Sequence, residues 1–207
     1  MLESIGEAGN LAAESLRILR ANDICTEKYD VEGEETVHEC LKVFAKDIDP
    51  ATKEWKIPGS EIKSRLDLRE KRIFTIDPIT ARDLDDALSI ERIDGTVYEI
   101  GVHIADVSYF VQQGTDLDKE ALKRSTSTYF VHEVYPMLPR LLCEQLCSLN
   151  PGVDRLTYSV FFRMDLASGA LDKSYAPRIQ RSVIKSCAKW NYQLVQGIID
   201  AKITGAD

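Results

Sequence analysis

The sequence of 207 residues lacks the long apolar runs from which membrane-spanning helices are built. No run reaches the roughly 18 consecutive apolar residues that would suggest such a span. The N-terminal segment MLESIGEAGNL also lacks the basic-then-apolar order of a signal peptide. We therefore expect a cytoplasmic protein without a membrane partner.

Cysteine is too sparse and too scattered to form a disulfide framework. The chain has five cysteines, an odd number, and Cys143 and Cys147 are four residues apart, which is helical spacing rather than the spacing of a zinc knuckle. These cysteines are predicted to be reduced thiols of an intracellular protein.

Positive charge is also scarce, because the formal net charge is −8. An acidic balance argues against a nucleic-acid partner, yet the charge is unevenly distributed. Residues 73–172 contain 16 acidic and 8 basic residues, whereas residues 173–207 contain 2 acidic and 6 basic residues. The acidic residues of 73–172 form either a solvated surface or a group of side chains whose charge is neutralised by bound cations.

The hydrophobic content of 44% is sufficient for a folded core. Residues 1–72 are interpreted as a connector of helices and loops, with helices over Glu7–Arg20 and Glu34–Ala45 and a loop over Asp47–Ser60.

From residue 73 onward, strand and helix patterns alternate irregularly. The predicted elements are a strand at Ile73–Ile76, a hairpin of Ala87–Ile93 and Thr96–Ile104 about Asp94-Gly95, a helix opened by a capping box at Thr115, a helix over Leu138–Leu149, a long hairpin of Leu156–Leu166 and Leu171–Ile184, and a helix over Trp190–Lys202. This order predicts the α+β class, with a mixed, largely antiparallel sheet and flanking helices.

Four aspartates, Asp77, Asp83, Asp85 and Asp86, fall within ten positions between two apolar strands. Pro78 favours an extended conformation at Asp77, so a strand can deliver this carboxylate while the loop returns the other three beside it. Clustered carboxylates raise the pKa of at least one member or require a compensating cation. Hard oxygen ligands with no nearby His or Cys favour Mg²⁺, or Mn²⁺, over zinc.

Spacing alone leaves three interpretations of this cluster. It can be a solvated acidic turn, because Asp is common in turns. A calcium loop fits less well, since the regular EF-hand spacing and its terminal Glu are absent. It can also hold two metal ions about 4 Å apart for phosphodiester hydrolysis.

The segment Thr75–Ser89 resembles the signature of the ribonuclease II / RNase R family. Further blocks of the sequence resemble the same family in the same order: Gly6–Gly9, Arg65–Arg69, Gly101–Ser108, Ser127–Tyr129, Pro136–Pro139 and Leu146–Pro151. The residues in several of these blocks are similar to those of the eukaryotic, cytoplasmic, exosome-independent branch of the family.

The resemblance implies processive, Mg²⁺-dependent hydrolysis of single-stranded RNA from the 3′ end, with release of nucleoside 5′-monophosphates. By position, Asp77, Asp83 and Asp86 would hold metal, and Asp85 would organise the second metal and act on the terminal nucleotide. Tyr129 would stack on the last base, unless it is a core tyrosine. Tyr192 would contact the ribose.

By the same resemblance, residues 1–72 follow a cold-shock-like barrel, and residues 73–207 form the N-terminal portion of an RNB-type domain. The family's RNA-binding barrels, its later arginine and its second base-clamping aromatic have no counterpart in this sequence. We therefore expect a longer parent protein. The alternative function is a non-catalytic RNA-binding regulator with a vestigial metal site, since some relatives have lost catalysis.

Overall fold

The computed structural model describes residues 4–27, 29, 41–44, 46–49, 54–130 and 133–202. These residues divide between two compact units, one within Met1–Lys42 and Val111–Arg140 and one within Val43–Phe110 and Leu141–Asp207. No helix in the described ranges is long and apolar enough to cross a membrane.

The described helices and strands alternate along the chain without a strict repeat. The helices are α1 (Leu11–Ala21), α2 (Gly59–Ser64), α3 (Val107–Phe110), α4 (Asp116–Arg124), a π-helix (Leu141–Leu146) and α5 (Tyr192–Ile199). The strands are β1 (Leu66–Asp67), β2 (Ile73–Asp77), β3 (Asp86–Asp94), β4 (Val97–Ala105), β5 (Thr128–Tyr129), β6 (Val134–Tyr135), β7 (Asp154–Asp165), β8 (Ala170–Leu171), β9 (Arg178–Lys185) and β10 (Ala188–Asn191).

The first unit contains α1, α4 and the two-stranded β5–β6 sheet. Helix α4 begins where the capping box predicted, because the Thr115 side chain accepts a hydrogen bond from the Asp118 amide at 3.3 Å. Helix α1 begins later than the predicted Glu7, since the Asn10 side chain caps it by accepting from the amides of Ala12 and Ala13. Polar caps therefore determine both helix starts.

The second unit is built on an eight-stranded sheet in the order β1-β9-β7-β4-β3-β2-β10, with β8 paired to β7. The two edge pairings, β1 with β9 and β10 with β2, are parallel, and the other pairings are antiparallel. This arrangement confirms the predicted α+β class and the mixed, largely antiparallel sheet.

One face of this sheet contains a buried polar layer. His103 is hydrogen-bonded to Ser159 at 2.7 Å and to Ser89 at 3.0 Å, and all three residues are buried. Ser159 is in turn hydrogen-bonded to Ser182 at 2.5 Å. Gly101 lies opposite Ser89, and a side chain there would collide with the Ser89 hydroxyl and the His103 ring. The layer therefore requires glycine at this position.

The other face of the sheet is largely apolar and partly exposed, although Asp86 and Arg181 also lie on it. Ile90, Ile104 and Tyr158 are each adjacent in sequence to a buried polar residue and are exposed, and Ile179, which pairs with Val160, is exposed on the same face. Their neighbours on this face are half-buried: Leu88, Ile100, Val102, Val160 and Phe162. We name this surface the open apolar face.

Three predicted elements differ from the structure. The predicted helix over Leu138–Leu149 is wrong in type and extent, because only Leu141–Leu146 is helical and it is a π-helix. The predicted helix from Trp190 is wrong at its start, since Trp190 belongs to β10 and stacks on Phe74 with ring centroids 4.6 Å apart. The second arm of the long hairpin is interrupted between β8 and β9.

Two further predictions concern the connector. The predicted helix over Glu34–Ala45 lies mostly outside the described residues. The part of it that is described, residues 41–44, is helical. The boundary at residue 72 stays a prediction, and β1, which precedes it, already belongs to the large sheet. The hairpin predicted about Asp94-Gly95 is present, with Gly95 at a φ of 50°.

Candidate metal centre

The four aspartates lie at the two ends of the loop that joins β2 to β3. Asp77 is the last residue of β2 and Asp86 is the first of β3, while Asp83 and Asp85 lie in the connecting loop. The Ala105 amide donates to the Asp85 carbonyl oxygen at 2.9 Å, which ties this end of the loop to β4. The structure therefore places all four predicted residues on one short segment beside the sheet. We name residues 78–85 the aspartate loop.

Asp77 is the most buried of the four, with 9% of its surface exposed. Burial is the main cause that raises the pKa of its carboxyl, and the charges of Asp86 and Asp83 raise it further. The neighbouring Thr75 side chain and the charge of Lys189 lower it. The buried Oδ2 atom of Asp77 has no hydrogen-bond partner among the described residues. A buried carboxylate oxygen without a donor is energetically costly, and a divalent cation would satisfy it.

Asp85 is exposed at its surface, yet its pKa is also raised. Desolvation by the surrounding protein is the main cause, followed by the charges of Asp83, Asp86 and Asp77. The four carboxylates therefore form one electrostatic cluster whose members repel one another. A cation would relieve this repulsion, and the donor set suits Mg²⁺ or Mn²⁺.

The carboxylate oxygens of the four aspartates nevertheless do not converge on a single point. No three of the four aspartates bring carboxylate oxygens within 4.8 Å of one another. Among the described residues, the one group that meets this distance is Cys25, Glu27 and Glu120 in the first unit. Lys123 lies 3.7 Å from both of those glutamates, so an internal cation already offsets their charge.

Lys189 contacts the aspartate loop from β10. Its Nζ donates to the Ala81 carbonyl oxygen at 2.5 Å, and its side chain is exposed. The basic residues of β9 have other partners: Arg178, Arg181 and Lys185 lie within ion-pair distance of Glu99, Asp106 and Asp154, respectively. Lys189, in contrast, contacts the aspartate loop.

Tyr192 is the first residue of α5, and 56% of it is exposed. It directly follows Asn191, which is paired in register with Asp77. Tyr129 belongs to the first unit, where it ends β5 with 64% of its surface exposed. The alternative of a core tyrosine at position 129 is therefore wrong.

One residue of this region was not identified from the sequence. Ser148 is fully buried, and its hydroxyl donates to the Arg82 carbonyl oxygen at 2.8 Å and accepts from the Leu84 amide at 3.1 Å. The only sequence signal was its position in the block Leu146–Pro151, which gives no indication of a partner 64 residues away.

Comparisons with known proteins agree on one family. The RNB domain profile matches residues 65–207. DIS3-like exonuclease 2 of Xenopus tropicalis is 45% identical over 200 residues, which cover 97% of this chain and 22% of that protein. Inactive exonuclease DIS3L2 of Arabidopsis thaliana is 47% identical over 148 residues, which cover 72% of this chain and 14% of that protein.

A solved structure shows the same fold. Mycoplasma genitalium RNase R in complex with ribose-methylated single-stranded RNA has a TM-score of 0.79 at 26% identity, over 97% of this chain and 28% of that one. The chain thus spans between 14% and 28% of the length of these three proteins. With the family profile covering more than half of its residues, the chain belongs to the RNB domain family.

Proposed function

We propose that this chain supplies the metal-binding part of a hydrolytic 3′-to-5′ exoribonuclease site. The observation that carries the proposal is the unpartnered, buried Oδ2 of Asp77 inside a cluster of mutually repelling carboxylates. Such an arrangement costs free energy unless a cation occupies it, so its presence in an RNB domain is consistent with a metal site.

The aspartates take distinct roles in this proposal. Asp77, Asp83 and Asp86 hold the divalent ions, and Asp85 organises the second ion and the reacting nucleotide. Bound Mg²⁺, or Mn²⁺, supplies Lewis-acid stabilisation of charge on the phosphodiester oxygens. The open spacing of the carboxylates predicts weak metal binding by the isolated chain. Carboxylates that are not held together must be brought to the ion against their mutual repulsion.

Residues that offer RNA contacts lie around the cluster in the second unit and, separately, in the first unit. Lys189 offers positive charge beside the aspartate loop for a phosphate oxygen. Tyr192 contacts the terminal ribose, and Tyr129 offers an exposed ring on which a base can stack. Stacking is tolerant of sequence, which suits processive degradation of single-stranded RNA in the cytoplasm to nucleoside 5′-monophosphates.

A second candidate function is an RNA-binding regulator that does not cleave. Two observations favour it: a relative at 47% identity bears the name inactive exonuclease, and no three of the aspartates are closed around one point. The two functions differ in metal binding, because a vestigial cluster need not hold a cation.

The test is a Mn²⁺ titration of the purified chain, followed by electron paramagnetic resonance. We expect saturable binding that becomes at least tenfold weaker in an Asp83→Asn/Asp86→Asn variant. An Asp94→Asn/Asp116→Asn variant makes the same change in net charge at exposed positions outside residues 77–86 and should bind like the wild type. Equal binding by all three proteins would overturn the metal site.

The second arm of the test uses labelled single-stranded RNA with Mg²⁺ or with a chelator. The isolated chain should bind this RNA and cleave it hardly at all, while a protein that contains this chain within a whole RNB domain should cleave it only with the metal. Full cleavage after exhaustive chelation would contradict the metal mechanism, and metal-independent binding without cleavage by the whole protein would favour the regulator.

A further inference from the structure

The hydroxyl of Ser148 holds the backbone on both sides of Asp83. It donates to the carbonyl oxygen of Arg82 and accepts from the amide of Leu84, the residues that directly precede and follow that aspartate. Ser148 is fully buried, so water does not compete for these two hydrogen bonds. One side chain therefore restrains the backbone from which the Asp83 carboxylate projects.

A third hydrogen bond extends this contact. The Leu149 amide donates to the Leu84 carbonyl oxygen at 2.9 Å, so residues 148 and 149 engage both backbone groups of Leu84. The Leu84 side chain is itself fully buried, although aspartates precede and follow it. This combination fixes the aspartate loop against the segment that follows the π-helix.

That segment is in turn held by β7. Arg155 is 3% exposed, and its guanidinium donates to the carbonyl oxygens of Ser148 at 2.8 Å and Gln145 at 2.6 Å. A rigid planar guanidinium with several donors fixes the direction of both carbonyls. The position of Ser148 is thus determined by the central sheet.

We propose that Ser148 is a positioning residue for the metal site, which it serves by fixing the aspartate loop before any cation binds. The proposal rests on the proposed function, because it assigns Ser148 a role at that same site. Four carboxylates that repel one another tend to spread a flexible loop, and a fixed backbone lowers the free energy needed to bring them to a cation. Ser148 contacts neither the metal nor the substrate in this role.

The test compares Mn²⁺ binding by the wild-type chain with Ser148→Ala and Ser148→Cys. The cysteine variant keeps the shape of the side chain with a larger terminal atom, and it replaces a strong hydrogen-bonding group with a weak one. Ser182→Ala is the matched control, because Ser182 is also fully buried, bonds Ser159 and Thr157 through its hydroxyl, and does not touch the aspartate loop.

We expect Ser148→Ala to weaken Mn²⁺ binding at least tenfold and to broaden the spectrum of the bound ion. Ser148→Cys should weaken binding by a smaller factor, and Ser182→Ala should change it less than twofold. Thermal unfolding identifies variants with comparable losses of stability, so that folding alone does not explain the difference.

The outcomes separate the two proposals. Wild-type affinity and spectra in both Ser148 variants would overturn the positioning role while leaving the metal site intact. Absence of binding by the wild type would instead overturn the proposed function, and the positioning role with it. Equal weakening in Ser182→Ala would show that general stability, not the contact with the aspartate loop, controls the site.

Discussion

Asp77 and Asn191 lie opposite each other in the parallel register between β2 and β10. The Asn191 side chain also accepts a hydrogen bond from the Leu194 amide at 2.8 Å and so caps α5. The strand that delivers the buried aspartate and the helix that begins with Tyr192 therefore meet at one pair of residues.

Replacing Asn191 by Ala should loosen the first turn of α5. Loss of an N-cap side chain typically costs about 1 kcal/mol of helix stability. Hydrogen exchange of the Leu194 amide and its neighbours should become faster, whereas Asn191→Ser, which keeps a capping oxygen, should retain most of the protection. Unchanged exchange in Asn191→Ala would show that the β10 pairing alone holds the helix start.

Asp77→Asn should stabilise the metal-free protein at neutral pH. The folded state raises the pKa of Asp77, so it binds the proton more tightly than the unfolded state does, and stability falls as the pH rises through the raised value. Removing the charge should therefore increase the free energy of unfolding in chelator. The wild type should gain stability with Mn²⁺, and the variant should not.

Asp172→Asn is the control for this experiment. The pKa of Asp172 is lowered because the Ser174 side chain and amide donate to its carboxylate. Its substitution should not stabilise the protein, and the response to Mn²⁺ should persist. A gain in stability for both variants would attribute the effect of Asp77 to the reduction of net negative charge.

Asp85→Asn, in a protein that contains this chain within a whole RNB domain, should separate cleavage from binding. We expect the cleavage rate to fall by about 100-fold or more, because this carboxylate organises the second metal ion and the terminal nucleotide of the RNA. RNA affinity should change by about threefold or less, since many phosphate and stacking contacts supply it. Filter binding and single-turnover cleavage measure the two quantities, and equal large losses in both would contradict the assigned role.

His103 should make the protein sensitive to mild acid. Burial, aided by the charge of Lys71, lowers the pKa of this imidazole from its ordinary 6.5 to about 4. In the unfolded chain the imidazole is protonated below about pH 6.5, whereas in the folded chain it is protonated only below about pH 4. The free energy of unfolding therefore decreases as the pH falls from 6.5 to about 4. The loss should approach about 3 kcal/mol.

Denaturant unfolding between pH 7 and pH 4 measures this effect, and proton NMR follows the imidazole directly. The chain also contains His38 and His132, so His103→Gln serves to assign the resonance. A His103 that titrates near pH 6.5 in the folded protein would refute the prediction.

The sequence predicted elements whose signals are local. The capping box at Thr115 and the turn at Gly95 depend on neighbouring residues, and both are present in the structure. The π-helix and the strand at Trp190 depend on distant partners, namely the Arg155 guanidinium and the ring of Phe74. Hydrophobic periodicity carries no information about such contacts, so both segments were predicted as ordinary helix.

The same limit applies to the candidate site. Four aspartates within ten positions were sufficient to predict a cluster, because the loop that joins them is short. Their spacing did not indicate that the Asp77 oxygen is buried without a donor or that Ser148 holds the aspartate loop. Both facts depend on how β2, β3 and the segment after the π-helix come together in the fold.

The open apolar face has a practical consequence for handling the protein. Ile104, Tyr158 and Ile179 present branched and aromatic side chains to water from adjacent strands. A contiguous surface of this kind promotes self-association and should bind fluorescent dyes such as ANS. Ile104→Thr and Ile179→Lys should lower dye fluorescence and raise the highest concentration at which the protein does not self-associate. Neither substitution should disturb the core, because both side chains are exposed.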